Sequence, residues 1–125
     1  MPVDTRWYDD TKKILVVRFG GNWTWEEGRI NDEYLRSLLA SVEYPVNIVM
    51  DVRAIRSFPP DILENAAMIM DEPYPNFDLV VVTGDRILFD VIAAIAQKLG
   101  GFHFDIDHAD TFEDALAMIE RRHVS

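Results

Sequence analysis

A chain of 125 residues and 14.4 kDa has the scale of one domain, able to bury about two-thirds of the surface its unfolded form exposes. Its 22 Asp and Glu against 12 Lys and Arg leave a net charge of −10, spread along the chain, which repels phosphate backbones and anionic lipids and sets nucleic acid and membranes aside as partners. The absence of cysteine excludes disulfides and thiolate metal sites; the opening "MPVDTRWYDD" has no apolar leader and no run is long enough to span a bilayer, so the expectation is a cytoplasmic protein.

The segment "TRWYDDTKKILVVRF" reads as two short strands around a polar turn at Asp9 to Lys12, a β-hairpin signal. Gly20, Gly21 and Asn22 break that pattern, and Thr24 with Glu27 forms a capping box that opens a helix. Within it Ile30, Tyr34, Leu38, Leu39 and Val42 recur at helical spacing, and Pro45 closes the segment. "VNIVMD" and "DLVVVTGD" are short apolar runs that suit strands buried on both faces. Each leads into a helix: Pro60 fits a first helical turn, where its missing N–H is no loss, and Asp85 is a good N-cap. Gly100 and Gly101 stop the second of these helices. A last strand, "FHFDID", precedes Thr111 and Asp114, another capping signal, and a helix with Phe112, Ala115, Leu116 and Ile119 inside.

The order β-β-α-β-α-β-α-β-α predicts a single α/β domain over residues 1–125, with a mostly parallel central sheet opened by an N-terminal antiparallel hairpin. With that order in hand, "VVRFGGNWTWEE" and "VNIVMDVRAIRSFPPDIL" resemble the strand–glycine–helix and strand–Asp–loop–helix stretches of the STAS-like domains, the fold of bacterial anti-sigma-factor antagonists and of the cytoplasmic tails of sulfate transporters. The resemblance covers nearly the whole chain. It implies a regulatory, non-enzymatic module. In the antagonists an Asp-Ser pair at the second helix start carries the regulatory phosphate; counted forward from Asp51, that pair falls on Pro59 and Pro60. Neither accepts phosphate, and Pro60 also removes a helix N–H that would have held one. Ser57 is a hydroxyl nearby, but about three residues early.

If the strands run parallel, Asp51, Arg53, Arg56, Asp85 and Arg86 share the sheet's carboxyl edge, where open α/β sheets place ligands. Two arginines beside a helix start can hold an anionic metabolite or a partner's carboxylate; the other reading is that Asp85 only caps its helix and the arginines pair with local acids. Arg53, Arg56, Ser57, Phe58, Asp61, Asp85 and Arg86 are thus the candidate partner or ligand residues. No catalytic constellation is present: there is no GxSxG elbow, and the glycine pair at 20 and 21 is not a dinucleotide fingerprint. His103, Asp105, Asp107 and His108 offer metal-ligand chemistry, but strand alternation puts the first three on one face and His108 in a following turn, so no metal or cofactor is expected. Trp7, Trp23 and Trp25 read first as seals at the end of the core; of the three only Trp23, on the glycine loop, keeps a chance of exposure, which would mark an interface.

The helix "DRILFDVIAAIAQKLG" directs Leu88, Val91, Ile92, Ile95 and Leu99 at the sheet. Phe89, Ala93 and Ala96 lie between that face and a narrow polar arc, so either the first or the last helix covers them or they form an isologous dimer contact. The leading expectation is a STAS-like module that binds a protein partner or itself through its second and third helices and the loop at 52–60. The alternative is a sensor or carrier of a small anionic ligand at the arginine-bearing edge.

Overall fold

A computed structural model describes residues 2–74, 76–99 and 105–124. Asp9 organises the first turn by accepting the Thr11 amide (3.0 Å), and the chain doubles back with a bond from the Tyr8 N–H to the Ile14 carbonyl at 2.8 Å. The strands β1 (Val3–Trp7) and β2 (Ile14–Gly21) pair antiparallel, and β2 then runs parallel to β3 (Val46–Ile55), so the hairpin is part of the main sheet. The strands β4 (Phe77–Thr83) and β5 (Asp105–Ala109) continue it in parallel, giving the spatial order β1-β2-β3-β4-β5. The expected α/β architecture and element order are those observed.

Because the strands lie side by side in the order they are made, each parallel step needs a crossover of the same hand, and right-handed crossovers put all three connecting helices on one face. These are α1 (Trp25–Ala40), α2 (Ile62–Ile69) and α3 (Arg86–Leu99). Leu35 and Leu39 of α1 pack on Val17, Ile48 and Val80. Among the described residues the opposite face is covered by α4 (Phe112–Val124), whose Ala115 and Ile119 meet Val49 and Val81, with Phe112 and Leu116 beside them as expected. The order never reverses, so the sheet has no switch-point crevice of the kind that collects ligands in doubly wound folds.

Several local expectations shift. Gly20 and Gly21 do not end β2: an irregularity between Arg18 and Gly20 lets them pair with Ala54 and Ile55, and β3 therefore runs to residue 55 instead of 51. A matching irregularity between Val46 and Ile48 is repaired by Asn47, fully buried, whose Oδ1 accepts the Leu79 N–H at 3.1 Å. The capping box on α1 is formed, with Thr24 Oγ1 accepting the Glu27 N–H (3.2 Å) and Glu27 accepting the Thr24 N–H (2.9 Å). Its buried stripe, however, is Asp32, Leu35 and Leu39, while Ile30 and Tyr34 are exposed. Pro60 stands two residues before α2, because Asp61 takes a left-handed conformation (φ 57°) and the helix begins after it. Thr111 caps α4 as read, accepting the Asp114 N–H at 3.0 Å.

Candidate functional site

Two regions compete as the site. The first is the carboxyl edge. Asp51 points to the α4 side of β3 and is buried (6% exposed). It receives the Arg53 Nε and Nη2 at 2.9 Å each, the Arg53 backbone N–H at 3.1 Å, and Arg18 Nε at 3.4 Å. Burial pushes the Asp51 carboxyl up, but these hydrogen bonds and the two positive charges outweigh it and hold the group below the usual carboxylate range. Arg53 lies in the strand rather than in a loop, and its guanidinium is committed to Asp51.

Beyond the strand, residues 56–61 form the loop. Arg56 is exposed and its backbone N–H bonds the Gly21 carbonyl at 2.9 Å. Ser57 is exposed and donates to Asn22 Oδ1 at 2.7 Å. Phe58 is half-buried with its edge toward Trp23 (6.2 Å). The two prolines sit at the surface, Pro59 half-buried and Pro60 exposed, and the Pro60 carbonyl accepts Trp25 Nε1 at 2.6 Å. Asp61 makes no side-chain cap; its carbonyl takes the Asn65 N–H.

The start of α3 adjoins this edge, since a Cβ on Gly84 would lie 2.7 Å from Val52 Cγ2 and 3.4 Å from the Arg53 nitrogen. Asp85 caps α3 by accepting the Ile87 N–H (2.7 Å), and Arg86 pairs with Asp90 (3.5 Å) over the Phe89 ring. Phe89 is half-buried against the His108 ring, at 5.3 Å between centroids. Ala93 is half-buried, as is Ala96, which faces inward toward the sheet. Val91, expected on the inner face, is instead exposed, and Ile87 is 71% exposed. On α2, Leu63 and Met68 are exposed too, Met68 by 74%.

His108 is not in a turn: it belongs to β5, on the α3 side, with Nε2 2.8 Å from the Gly84 carbonyl. Asp105 faces α4 and shares Arg122 with Asp78, at 2.8 and 2.9 Å. His103 lies outside the described residues. Among the described residues no three His, Asp or Glu side chains gather as a metal group. No described helix is long and apolar enough to cross a membrane.

The second region was not anticipated. Between the sheet and helices α1, α2 and α3 lies a chamber of about 210 Å³. Its floor is Val17, Met50, Val52 and Ile106, and its walls include Ile62 and Ala66 of α2 and Ile92 and Ala96 of α3. Trp23 forms one end. It is 6% exposed, as the core reading has it and against the exposure its place on the glycine loop left open, because Phe19 and Trp25 present ring edges to it at 4.9 Å and its own ring lies against Gly28, where an added Cβ would be 3.1 Å away. Its Nε1 is buried and has no hydrogen-bond partner. The glycine loop gave no sign of this, since the aromatic neighbours that enclose Trp23 come from β2, α1 and the proline loop.

At the other end stands a polar knot. Asp32 accepts Arg36 Nε at 2.8 Å and the Tyr74 hydroxyl, and the Arg36 guanidinium lies over the Tyr74 ring at 4.1 Å. Arg36 also donates to the carbonyls of Ile69 (3.2 Å) and Glu72 (2.9 Å), fastening α1 to the end of α2. Burial first, then the Asp32 charge, pushes the Tyr74 phenol above its ordinary range.

No family model and no curated protein matches the sequence. Among solved structures, an uncharacterized protein of the DUF3478 family from Shewanella loihica PV-4, described as having a SpoIIAA-like fold, superposes with a TM-score of 0.67 over 93% of this chain and 90% of its own, at 18% identity. The sequential five-stranded sheet, with three helices on one side and α4 on the other, is therefore the SpoIIAA-like fold to which the STAS-like resemblance pointed.

Proposed function

We propose that this protein is a non-enzymatic regulatory module that binds a protein partner through α2, α3 and the loop at 56–61, without a phosphorylation switch. The observation that carries this reading is the exposed apolar set on two touching helices: Leu63 and Met68 on α2, Ile87 and Val91 on α3. Covering each such side chain contributes only a part of the roughly 1.5–3 kcal/mol that full burial is worth, most for Met68 and Ile87, and exposed apolar side chains of this kind are the usual core of a protein contact. The loop beside them is tied down, with Trp25 bonded to Pro60 and Ser57 to Asn22, and by the count that the STAS-like resemblance implies Pro59 and Pro60 fall where the antagonists carry Asp-Ser. The anionic-ligand alternative draws less support, because Arg18 and Arg53 both serve Asp51 and Arg86 serves Asp90.

The test places a photo-crosslinking amino acid at Met68 or Ile87, and at Glu120 on α4 as the control, in the producing cell. The expected result is a discrete adduct at 68, lost when Ile87→Glu is added, and at 87, lost when Met68→Glu is added, with none at 120. Equal labelling at all three positions overturns the reading. Self-association is a named form of the same reading, and reports as an adduct of twice the 14.4 kDa mass that Ile87→Glu abolishes.

A further inference from the structure

We infer, given the partner face on α2 and α3, that its occupant is a basic amphipathic helix of another protein, laid in the outer valley between these two helices. The side chains lining that valley follow from contacts on the far flank of each helix. On α3 the Phe89 ring meets His108 of β5, the last strand of the sheet. Ile87 and Val91, each about 160° round the helix from Phe89 at 100° per residue, therefore turn toward α2, and Ala94 continues their stripe. On α2 the Ile69 carbonyl is held by Arg36 of α1, and its side chain would lie 3.9 Å from a Cβ on Gly28. Ala67, about 160° from Ile69, therefore turns toward α3, with Leu63 one turn before it. All five are exposed, Ile87 by 71%.

A helix suits this valley better than an extended segment. The backbone groups of α2 and α3 are spent within the helices, so a strand laid there would lose hydration with no ladder to join, whereas a helix arrives with its own N–H and C=O groups paired. Ala67 and Ala94, beyond the larger Leu63 and Ile87, lower the walls for the close approach of a third helix, at the interaxial distance of about 8–10 Å usual for packed helices. The rim sets the sign of the partner's charge. Asp61 and Glu64 on α2, Asp71 and Glu72 just past it, and Asp85 and Asp90 at the start of α3 are all exposed. Against them stand Arg56 in the loop, Lys98 at the far end of α3, and Arg86, which Asp90 takes at 3.5 Å. A second copy of this chain would set those acids against themselves across a two-fold axis, and anionic lipid is repelled in the same way. A helix with Lys or Arg beside its apolar stripe meets the rim with opposite charge.

The probe is a capped, fluorescently labelled peptide of about 18 residues, built from Leu, Ala and Lys with leucine at i, i+3, i+4 and i+7; its counterpart carries Glu at every Lys position. By anisotropy against the full chain, the basic peptide should bind about tenfold more tightly than the acidic one, the worth of three rim pairs of surface strength, and should weaken as salt rises. Glu64→Lys/Asp71→Lys/Asp90→Lys should invert that preference. Asp10→Lys/Glu43→Lys/Glu120→Lys, an equal change of net charge at exposed positions elsewhere, should leave it in place. Leu63→Gln/Val91→Gln should abolish binding of the basic peptide, and so should a proline at the peptide's centre. No binding, binding blind to charge sign, equal loss in the two triple variants, or full binding of the proline peptide each overturns the inference. A photo-adduct at 87 joining two copies of this chain overturns it in favour of self-association. An adduct at 87 with a different protein, found alongside peptide binding blind to sign, leaves the partner face standing and strikes only the basic helix; absence of any adduct at 87 strikes both.

Discussion

The hydroxyl of Tyr74 donates to the carboxylate of Asp32 from 42 residues away in sequence, while Arg36 closes the other side of that carboxylate from one helical turn along α1. The knot ties the segment after α2 to the middle of α1. Replacing Tyr74 by Phe leaves Asp32 half-satisfied in a mostly buried site and should cost about 1–3 kcal/mol near neutral pH. The raised phenol pKa adds a signature: its stabilisation is present below the unfolded value of about 10 and is lost as pH rises beyond it. Urea midpoints of wild type and Tyr74→Phe should therefore converge as pH is taken from about 8 toward 11.

Asp51 predicts the opposite pH dependence. Its pKa is lowered, so the stability it contributes is present above the unfolded value of about 3.9 and disappears as pH falls below it. Asp51→Asn should destabilise the protein by about 1–2 kcal/mol at neutral pH, a range kept low because the arginines are half-exposed. Below about pH 4 the gap between variant and wild type should shrink, as read by denaturant titration.

Trp25 and Pro60 give a local prediction. Removing the indole donor with Trp25→Phe keeps the ring and releases the loop. Global stability should fall by about 0.5–1.5 kcal/mol, and tryptic cleavage after Arg56 should quicken roughly two- to twelvefold.

Gly84 leaves little room for change. Its φ is +149°, and a Cβ would meet Val52 Cγ2 at 2.7 Å. Gly84→Ala must push β3 and the start of α3 apart, costing about 1–3 kcal/mol and lowering Tm by roughly 5–15 °C in a thermal melt.

The strand order and the fold were legible because the signals were local: apolar runs between turn residues, Thr24 with Glu27, Thr111 with Asp114. What escaped was set by distant partners. The two glycines could not be placed in β2 without knowing that β3 offers Ala54 and Ile55 to pair with them. Trp23 reads as a loop residue until Phe19, Trp25 and Phe58 are brought around it. The chamber was invisible for a related reason: a cavity is a shortfall of packing among several elements, and most of its lining residues belong to ordinary apolar patterns of strands and helices. On α1 the helical spacing of Ile30 and Tyr34 suggested an inner stripe, but Asp32, rescued by Arg36 and Tyr74, occupies the inner face instead.

The sequential order of the strands also bears on how the protein is made. Every neighbouring pair in the sheet is a neighbour in synthesis, so each new strand emerging from the ribosome finds its docking edge already in place. The side carrying Val49 and Val81 has no such continuity, because its cover, α4, is translated after all five strands. A nascent chain therefore carries an oily, half-covered sheet until α4 emerges, and that interval is when chaperones would have most to grip.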